Sequence, residues 1–182
     1  MDVVPVIILA GWVVFWIYWF VAARGVNRGR TNWGRFAGVR VVLVLVVLAL
    51  LRARVFREHG LTRDPWLQAI GLVVFVAGLA LAVWARLFIG GNWGMPMTEK
   101  ADPELVQTGP YRRVRHPIYS GLILAMVGTA IAVTWYWLAA VAVLGAYFVY
   151  SARMEERYLS GVFPEAYPAY RKTTKMLVPF IF

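Results

Sequence analysis

The chain has 182 residues, of which 61% are hydrophobic and only 15% are charged. A soluble globular domain averages about 45–50% apolar and about 25% charged residues, so the composition excludes that class and predicts an integral membrane protein. Because the chain contains no cysteine, disulfides, thiolate nucleophiles and cysteine-ligated metals are excluded. We predict no metal site.

Uncharged runs in the sequence mark the spans. Val3 to Ala23 and Pro65 to Ala85 are each 21 residues long, close to the ~20 residues that a spanning helix needs. A shorter run, 41–51, reaches that length only if residues 36–40 join it, with Arg40 extending toward the headgroups. This segment is the second predicted span.

The longest uncharged run, Pro117 to Ala152, has 36 residues and is too long for one span. It divides near Thr134 into two halves of 18 residues, which predicts a tight helical hairpin. The fold class is therefore an all-α membrane protein of about five transmembrane helices. It forms one membrane domain, 1–182, with N-terminal spans in 1–85 and a C-terminal part in 86–182.

Loop charges give the orientation through the preference for Lys and Arg on the cytoplasmic side. Segments 24–40, 86–116 and 153–182 each hold five Lys or Arg, whereas segment 52–64 on the other side holds four. The N-terminus is therefore expected outside and the C-terminus in the cytoplasm. Basic loops beside anionic lipid explain the net charge of +10, so we predict no nucleic-acid partner. Arg-rich, Lys-poor usage favours a bacterial inner membrane.

The stretch "YRRVRHPIYSG", residues 111–121, carries the first candidate site. Pro117 suits the first position of a helix, which places His116 at its cap. The free N–H groups of that first turn would attract an anion. Tyr119 lies three residues beyond His116 on the same face. Arg112, Arg113 and Arg115 oppose the helix dipole, so lipid-headgroup anchoring is the simplest role for them.

Glu155 and Glu156 follow the second half of the predicted hairpin. An antiparallel hairpin returns its end to the membrane face where it began, so these glutamates should be neighbours of the turn from His116 to Tyr119. Adjacent helical residues point about 100° apart, so we expect one glutamate to face the shared pocket. The other would pair with Arg153 or Arg157 at the surface.

A 31-residue connection, 86–116, contains "GGNWG" and is long enough to be functional. Asn92 and Trp93 are candidate substrate residues there, although a Trp at this position is also typical of the interfacial aromatic belt. An anion site, a carboxylate and aromatic walls together suit an amino-acid zwitterion, and aromatic faces also suit a sulfonium cation.

Two segments match a known family. "LVQTGPYRRVRHPIYSG" followed by "EERYLSGVFPEAYPAYRKTTKMLVPF" resembles the isoprenylcysteine carboxyl methyltransferase and phospholipid methyltransferase superfamily of integral membrane enzymes. The match covers about residues 85–182. The resemblance implies an S-adenosylmethionine-dependent methyltransferase with a cytoplasm-facing cofactor pocket and a lipid-soluble substrate that enters from the bilayer.

The matching positions imply roles for particular residues. Glu155 would hold the methionyl ammonium of the cofactor, and the His116 region would hold its carboxylate. His116 and Glu156 are candidate general bases, and Arg153 joins Asn92 and Trp93 as a candidate substrate residue. The implied cofactor contacts are Glu104, Leu105, Val106, Tyr111, His116, Pro117, Ile118, Tyr119 and Glu155.

The sequence departs from the eukaryotic prenylcysteine enzymes at Ser151, where they have an arginine associated with substrate binding one helical turn before the cofactor glutamate. The acceptor is therefore open, and we predict a membrane-partitioned small molecule or lipid, with the bilayer as the main partner and no obligate protein partner. Two alternatives remain: an NADPH-dependent reductase related to the sterol reductases, and a noncatalytic lipid-binding membrane protein.

Overall fold

The computed structural model of the protein describes residues 3–25, 30–31, 62–93, 98–99 and 104–182. Within these residues, five α-helices and one two-stranded antiparallel ribbon follow in chain order. Two-residue strands pair antiparallel, Arg30 opposite Glu99 and Thr31 opposite Thr98. The elements are α1 (Val3–Ala22), β1 (Arg30–Thr31), α2 (Pro65–Ile89), β2 (Thr98–Glu99), α3 (Pro117–Ala132), α4 (Trp137–Val162) and α5 (Ala166–Thr173).

Among the described residues, three helices are long and apolar enough to cross a membrane, namely α1, α2 and α4. α3 is a shorter apolar helix of 16 residues, about 24 Å long at 1.5 Å per residue. The first and third predicted spans and the hairpin are confirmed, and the hairpin turn falls at 133–136, around Thr134. The predicted second span, 36–51, lies outside the described residues.

The start of α2 follows its local sequence. The Asp64 carboxylate accepts hydrogen bonds from the backbone N–H groups of Trp66 at 2.8 Å and Leu67 at 3.3 Å, and Pro65 occupies the first turn. An acceptor at the cap satisfies amides that the helix leaves unpaired. Thr62, just before this cap, donates its backbone N–H to the carbonyl of Val133 in the α3–α4 turn, at 2.9 Å.

α2 ends later than predicted. The sequence places Arg86 in a loop, yet the helix continues to Ile89 and the Arg86 side chain is buried. Its guanidinium donates to the carbonyl of Gly90 at 2.7 Å and to that of Ala22 at 2.8 Å. The charge ends the uncharged run but not the helix, because these two carbonyls near the ends of α1 and α2 supply its partners.

Glycines allow α2 and α3 to pack backbone to backbone. A Cβ on Gly78 would lie 2.3 Å from the backbone nitrogen of Ala125, and one on Gly121 would lie 2.6 Å from that of Ala82. Gly71, seven residues before Gly78, and Gly128, seven residues after Gly121, make the same kind of approach. At Gly121 the group that approaches is the backbone of α2. Small residues at such positions let helices associate through van der Waals packing where lipid removes the hydrophobic driving force.

Aromatic side chains attach α1 to this pair. Trp12 packs edge-on against Phe75 of α2, with ring centroids 5.6 Å apart, and its indole N–H donates to the hydroxyl of Thr129 in α3 at 3.1 Å. Closer to the C-terminal end of α1, Phe15 and Trp19 are buried in a cluster with Tyr111 and Tyr119. α1 therefore packs against the same residues that form the candidate site.

Candidate active site

His116 precedes the first turn of α3. Its backbone carbonyl accepts a hydrogen bond from the Ser120 N–H at 3.1 Å, and its ring stacks on that of Tyr119 with centroids 5.5 Å apart and planes inclined by 7°. The predicted shared face of these two residues is confirmed. Pro117 is fully buried behind them, so the turn has little freedom to move.

The stack continues onto α4. The ring of Phe148 lies 5.0 Å from that of Tyr119, with planes 17° apart. About two helical turns after Phe148, the Glu155 carboxylate accepts a hydrogen bond from the Tyr119 hydroxyl at 3.4 Å and lies 3.8 Å from Nδ1 of His116. The predicted proximity of the His116 turn and the glutamate pair is therefore confirmed. A partly exposed carboxylate beside three parallel rings is suited to an organic cation.

Glu156 is buried, and the expectation that the second glutamate pairs with Arg153 or Arg157 at the surface is wrong. Its Oε1 lies 2.6 Å from Nε of Arg115 and 3.5 Å from Nε2 of His116. The two nitrogens of the His116 ring face different glutamates, Nδ1 toward Glu155 and Nε2 toward Glu156. Two side chains that point about 100° apart on α4 can therefore both contact this ring. The Nε2 atom is buried without a well-aligned hydrogen-bond partner among the described residues.

Arg115 links this site to the C-terminal segment. Its guanidinium donates to the carbonyl of Thr174, and its backbone N–H donates to that of Lys175 at 2.8 Å. The next residue repeats the pattern, since the His116 N–H donates to the carbonyl of Met176 at 3.1 Å. Segment 174–177 therefore lies alongside 113–116 and fixes the approach to α3. Of the two roles that the sequence leaves open for Arg115, a lipid contact and a part in the site, the structure shows the second through a buried ion pair with Glu156.

The connection between α2 and α3 forms another wall of the candidate active site. The Asn92 amide donates to the Glu104 carboxylate at 2.7 Å, and the Glu104 backbone N–H donates to the Asn92 side-chain oxygen at 3.1 Å. Val106 packs against the buried cluster that contains Tyr111, Ile118 and Tyr119. Glu104 itself is exposed and Leu105 half-buried.

Trp93 belongs to the same wall. Its ring lies 5.5 Å from that of Trp19, edge to face, and the Arg86 guanidinium stands 5.0 Å from its centroid. A cation over an indole face is a favourable contact. Sequence reasoning missed Arg86 because an arginine after an apolar run is typical of a span end. Its place four residues before Gly90 is a weak signal for capping of the helix end.

Tyr111 closes the inner side of the site. It is buried, and burial, followed by the negative charge of Glu155, raises the pKa of its phenol well above that of an ordinary tyrosine. The hydroxyl therefore stays protonated, and it points at the carbonyl of Ala85 at 3.4 Å. The backbone carbonyl of Tyr111 in turn accepts from the hydroxyl of Tyr170 in α5.

Arg153, a predicted substrate residue, lies apart from this cluster. It lines a cleft of about 370 Å³ between the end of α4 and the C-terminal segment. Among the described residues, none of the predicted cofactor contacts lines this cleft, which is formed by Arg153, Glu156, Arg157, Ser160, Arg171 and Met176.

The residues present fit the cofactor that the resemblance implies. A zwitterionic amino-acid group needs a carboxylate for its ammonium, which Glu155 offers with 28% of its side chain exposed. A sulfonium needs aromatic faces, which Tyr119 and Phe148 offer. The buried Nε2 of His116, which lacks a well-aligned hydrogen-bond partner among the described residues, is a polar atom that a ligand or a proton can satisfy.

Comparison with known proteins places these features in a family. The family model described as phospholipid methyltransferase matches residues 66–166, more than half of the chain. The nickel-cobalt-cadmium resistance protein NccN of Alcaligenes xylosoxydans xylosoxydans is 32% identical over 146 residues, covering 77% of this chain and 62% of the relative. The protein-S-isoprenylcysteine O-methyltransferase of Xenopus laevis is 32% identical over 125 residues, 66% of this chain and 43% of that protein.

A solved structure shares the fold. The eukaryotic intramembrane Ras methyltransferase ICMT (isoprenylcysteine carboxyl methyltransferase) aligns with a TM-score of 0.54 and 23% identity, over 84% of this chain and 55% of that one. The chain therefore spans between 43% and 62% of the length of these three proteins. With the matched region running from α2 to the start of α5, the chain belongs to the phospholipid methyltransferase family, within the superfamily of integral membrane methyltransferases.

Proposed function

We propose that the protein transfers a methyl group from S-adenosylmethionine to a membrane-partitioned small molecule or lipid. The observation that carries the proposal is the stack of His116, Tyr119 and Phe148 beside the Glu155 carboxylate. Family membership supports the reaction class. The stack and the carboxylate supply what a sulfonium-bearing amino acid requires at the positions where the two sequence motifs meet.

Each residue has a part in holding the cofactor. Glu155 would accept hydrogen bonds from the methionyl ammonium, and the faces of Tyr119 and Phe148 would lie against the positively charged part. Tyr111, Val106 and Ile118 share one buried cluster with Tyr119, which would exclude water from this side. The cofactor brings an activated methyl group bound to sulfur, so the work of the protein is alignment, which can be worth effective molarities of ~10⁵ to 10⁸ M.

An acceptor that carries a proton also needs a base. We assign this role to His116, because an imidazole nitrogen can accept a proton and its buried Nε2 lacks a well-aligned partner among the described residues. Glu156 is the poorer candidate because its Oε1 is held by Arg115 at 2.6 Å. We infer that Glu156 instead positions Arg115 and His116.

Lipid access follows from the helix surfaces. α1 and α2 present exposed apolar side chains along their lengths, among them Val14, Ile17, Val73 and Val76. These faces suit contact with acyl chains. A lipophilic acceptor would therefore reach the site from the bilayer, and the predicted placement of the site on the cytoplasmic side follows from the loop charges.

Calorimetric titration of the detergent-purified protein tests the proposal. We expect binding of S-adenosylmethionine and S-adenosylhomocysteine and no binding of NADPH. Glu155→Gln should weaken cofactor binding by ~10-fold or more, because a hydrogen bond to a charged group is worth about 1.5–3 kcal/mol. Glu165→Gln, which changes an exposed carboxylate at the start of α5, is the matched control.

Two further variants test the stack. His116→Ala should lower cofactor affinity, while Tyr150→Phe, which changes an exposed tyrosine of α4, should leave it unchanged. Unaltered affinity in both Glu155→Gln and His116→Ala would refute the site. Binding of NADPH alone would favour a reductase, and binding of neither cofactor would favour a noncatalytic lipid-binding role.

A further inference from the structure

A second site is indicated by the charges in the cleft between α4 and the C-terminal segment. Three arginines line it, Arg153, Arg157 and Arg171, together with the hydroxyl of Ser160. Arg153 and Arg157 are one turn apart on one face of α4, a spacing at which like charges destabilise a helix. Such a cluster costs stability unless an anion neutralises it.

The protein does not supply that anion in full. Glu156 is the one acidic residue that lines the cleft in the described part of the chain. Its Oε1 is already bound to Arg115 at 2.6 Å, and its Oε2 lies 3.5 Å from Arg171. Neither Arg153 nor Arg157 has a carboxylate partner among the described residues. The cleft therefore holds an excess of positive charge.

Its position gives the class of ligand. The uncharged part of α4 ends at Ala152, so Arg153 and Arg157 lie on the first turns beyond the apolar helix, where headgroups meet water. Met176 provides an apolar edge, and the segment that follows it exposes Val178, Phe180 and Ile181. A cationic cleft with an apolar edge suits the phosphate group of an amphiphile, and arginine guanidinium binds phosphate oxygens in a bidentate manner.

We propose that Arg153, Arg157 and Arg171 form a phosphate-binding site, with an anionic phospholipid headgroup as the favoured source of the phosphate. The site is separate from the proposed cofactor contacts, which do not line the cleft in the described residues. It meets the candidate active site at Glu156, whose carboxylate touches Arg171 on one side and Arg115 on the other. A bound phosphate would thus compete with Glu156 for Arg171.

Binding of short-chain phosphatidylglycerol, diacylglycerol and inorganic phosphate to the full chain in detergent tests the proposal. We expect phosphatidylglycerol to bind and diacylglycerol, which lacks the phosphate, to bind far more weakly. The double variant Arg153→Gln, Arg157→Gln should lower the affinity by ~10-fold or more for each arginine removed. The double variant Arg24→Gln, Arg63→Gln removes the same charge from exposed positions outside the cleft and should stay near the affinity of the unmodified protein.

The measurements with inorganic phosphate and diacylglycerol identify the source of the phosphate. If inorganic phosphate binds where phosphatidylglycerol does not, and loses affinity in the double variant Arg153→Gln, Arg157→Gln, the site is upheld with a soluble phosphate as its ligand. Equal losses in the two double variants, or equal affinity for diacylglycerol and phosphatidylglycerol, would overturn it. Melting temperatures of both doubles exclude unfolding as the cause. Because the readout is lipid or phosphate affinity, failure of S-adenosylmethionine to bind would leave this result intact.

Discussion

The ion pair between Arg115 and Glu156 makes a strong prediction about stability. Glu156→Gln removes the negative charge while keeping the size of the side chain. The two side chains are 8% and 5% exposed, and Nε of Arg115 lies 2.6 Å from Oε1 of Glu156. The substitution therefore leaves the Arg115 charge buried without its carboxylate.

The expected cost follows from this burial. Removing one partner of a buried ion pair destabilises a protein by about 3–5 kcal/mol. The amide oxygen of glutamine still accepts one hydrogen bond, and the carbonyl of Thr174 still accepts from Arg115, so we expect the lower end, about 3 kcal/mol. At about 2–4 °C per kcal/mol for a chain of this size, the melting temperature should fall by roughly 6–12 °C.

Thermal unfolding of the detergent-purified variants measures this shift. Glu155→Gln is the matched control, since its carboxylate is 28% exposed and it should shift the melting temperature by no more than about 3 °C. The double variant Arg115→Met, Glu156→Met should lose less stability than the sum of the losses in the single variants Arg115→Met and Glu156→Met, because it leaves no unpaired charge. A Glu156→Gln melting temperature within about 2 °C of the unmodified protein would refute the assignment of this ion pair as a structural element.

Two more predictions concern packing and pH. Gly78→Ala should destabilise the protein by about 1–3 kcal/mol, because the added Cβ would lie 2.3 Å from the backbone of α3. Gly145→Ala, where a Cβ meets no described atom within 4 Å, should be neutral or stabilising in the same melting assay. Equal effects of the two variants would contradict backbone-to-backbone packing. Burial raises the pKa of Tyr170 above that of an ordinary tyrosine, so the unfolded chain loses this proton first, near pH ~10, and stability should fall as the pH rises beyond that value. Tyr170→Phe should show a shallower fall in melting temperature between pH 8 and 11, and an unchanged slope would contradict the burial argument.

Most of the fold could be read from the apolar runs. α1, α2 and the hairpin of α3 and α4 lie where uncharged segments of spanning length predict them, because bilayer thickness sets helix length. The hairpin also places the His116 turn beside Glu155, since an antiparallel return fixes which ends meet. The glycines of α2 and α3 are visible in the sequence, but which of them meet depends on the rotation of each helix about its own axis. A helix that is apolar on every side gives no sequence signal for that rotation.

The charged residues inside the protein were harder to predict. Arg86 and Glu156 look like surface residues in the sequence, and each is buried because a distant segment provides its partner: the end of α1 for Arg86 and the segment before α3 for Glu156. By itself, the sequence determined the membrane class, helices α1 to α4 and the two motifs that face each other, since these depend on local composition and chain direction. The tertiary structure alone decided which charges are buried, which arginines of the described residues lack a carboxylate partner, and how the C-terminal segment closes the site. These features depend on contacts between residues far apart in the chain.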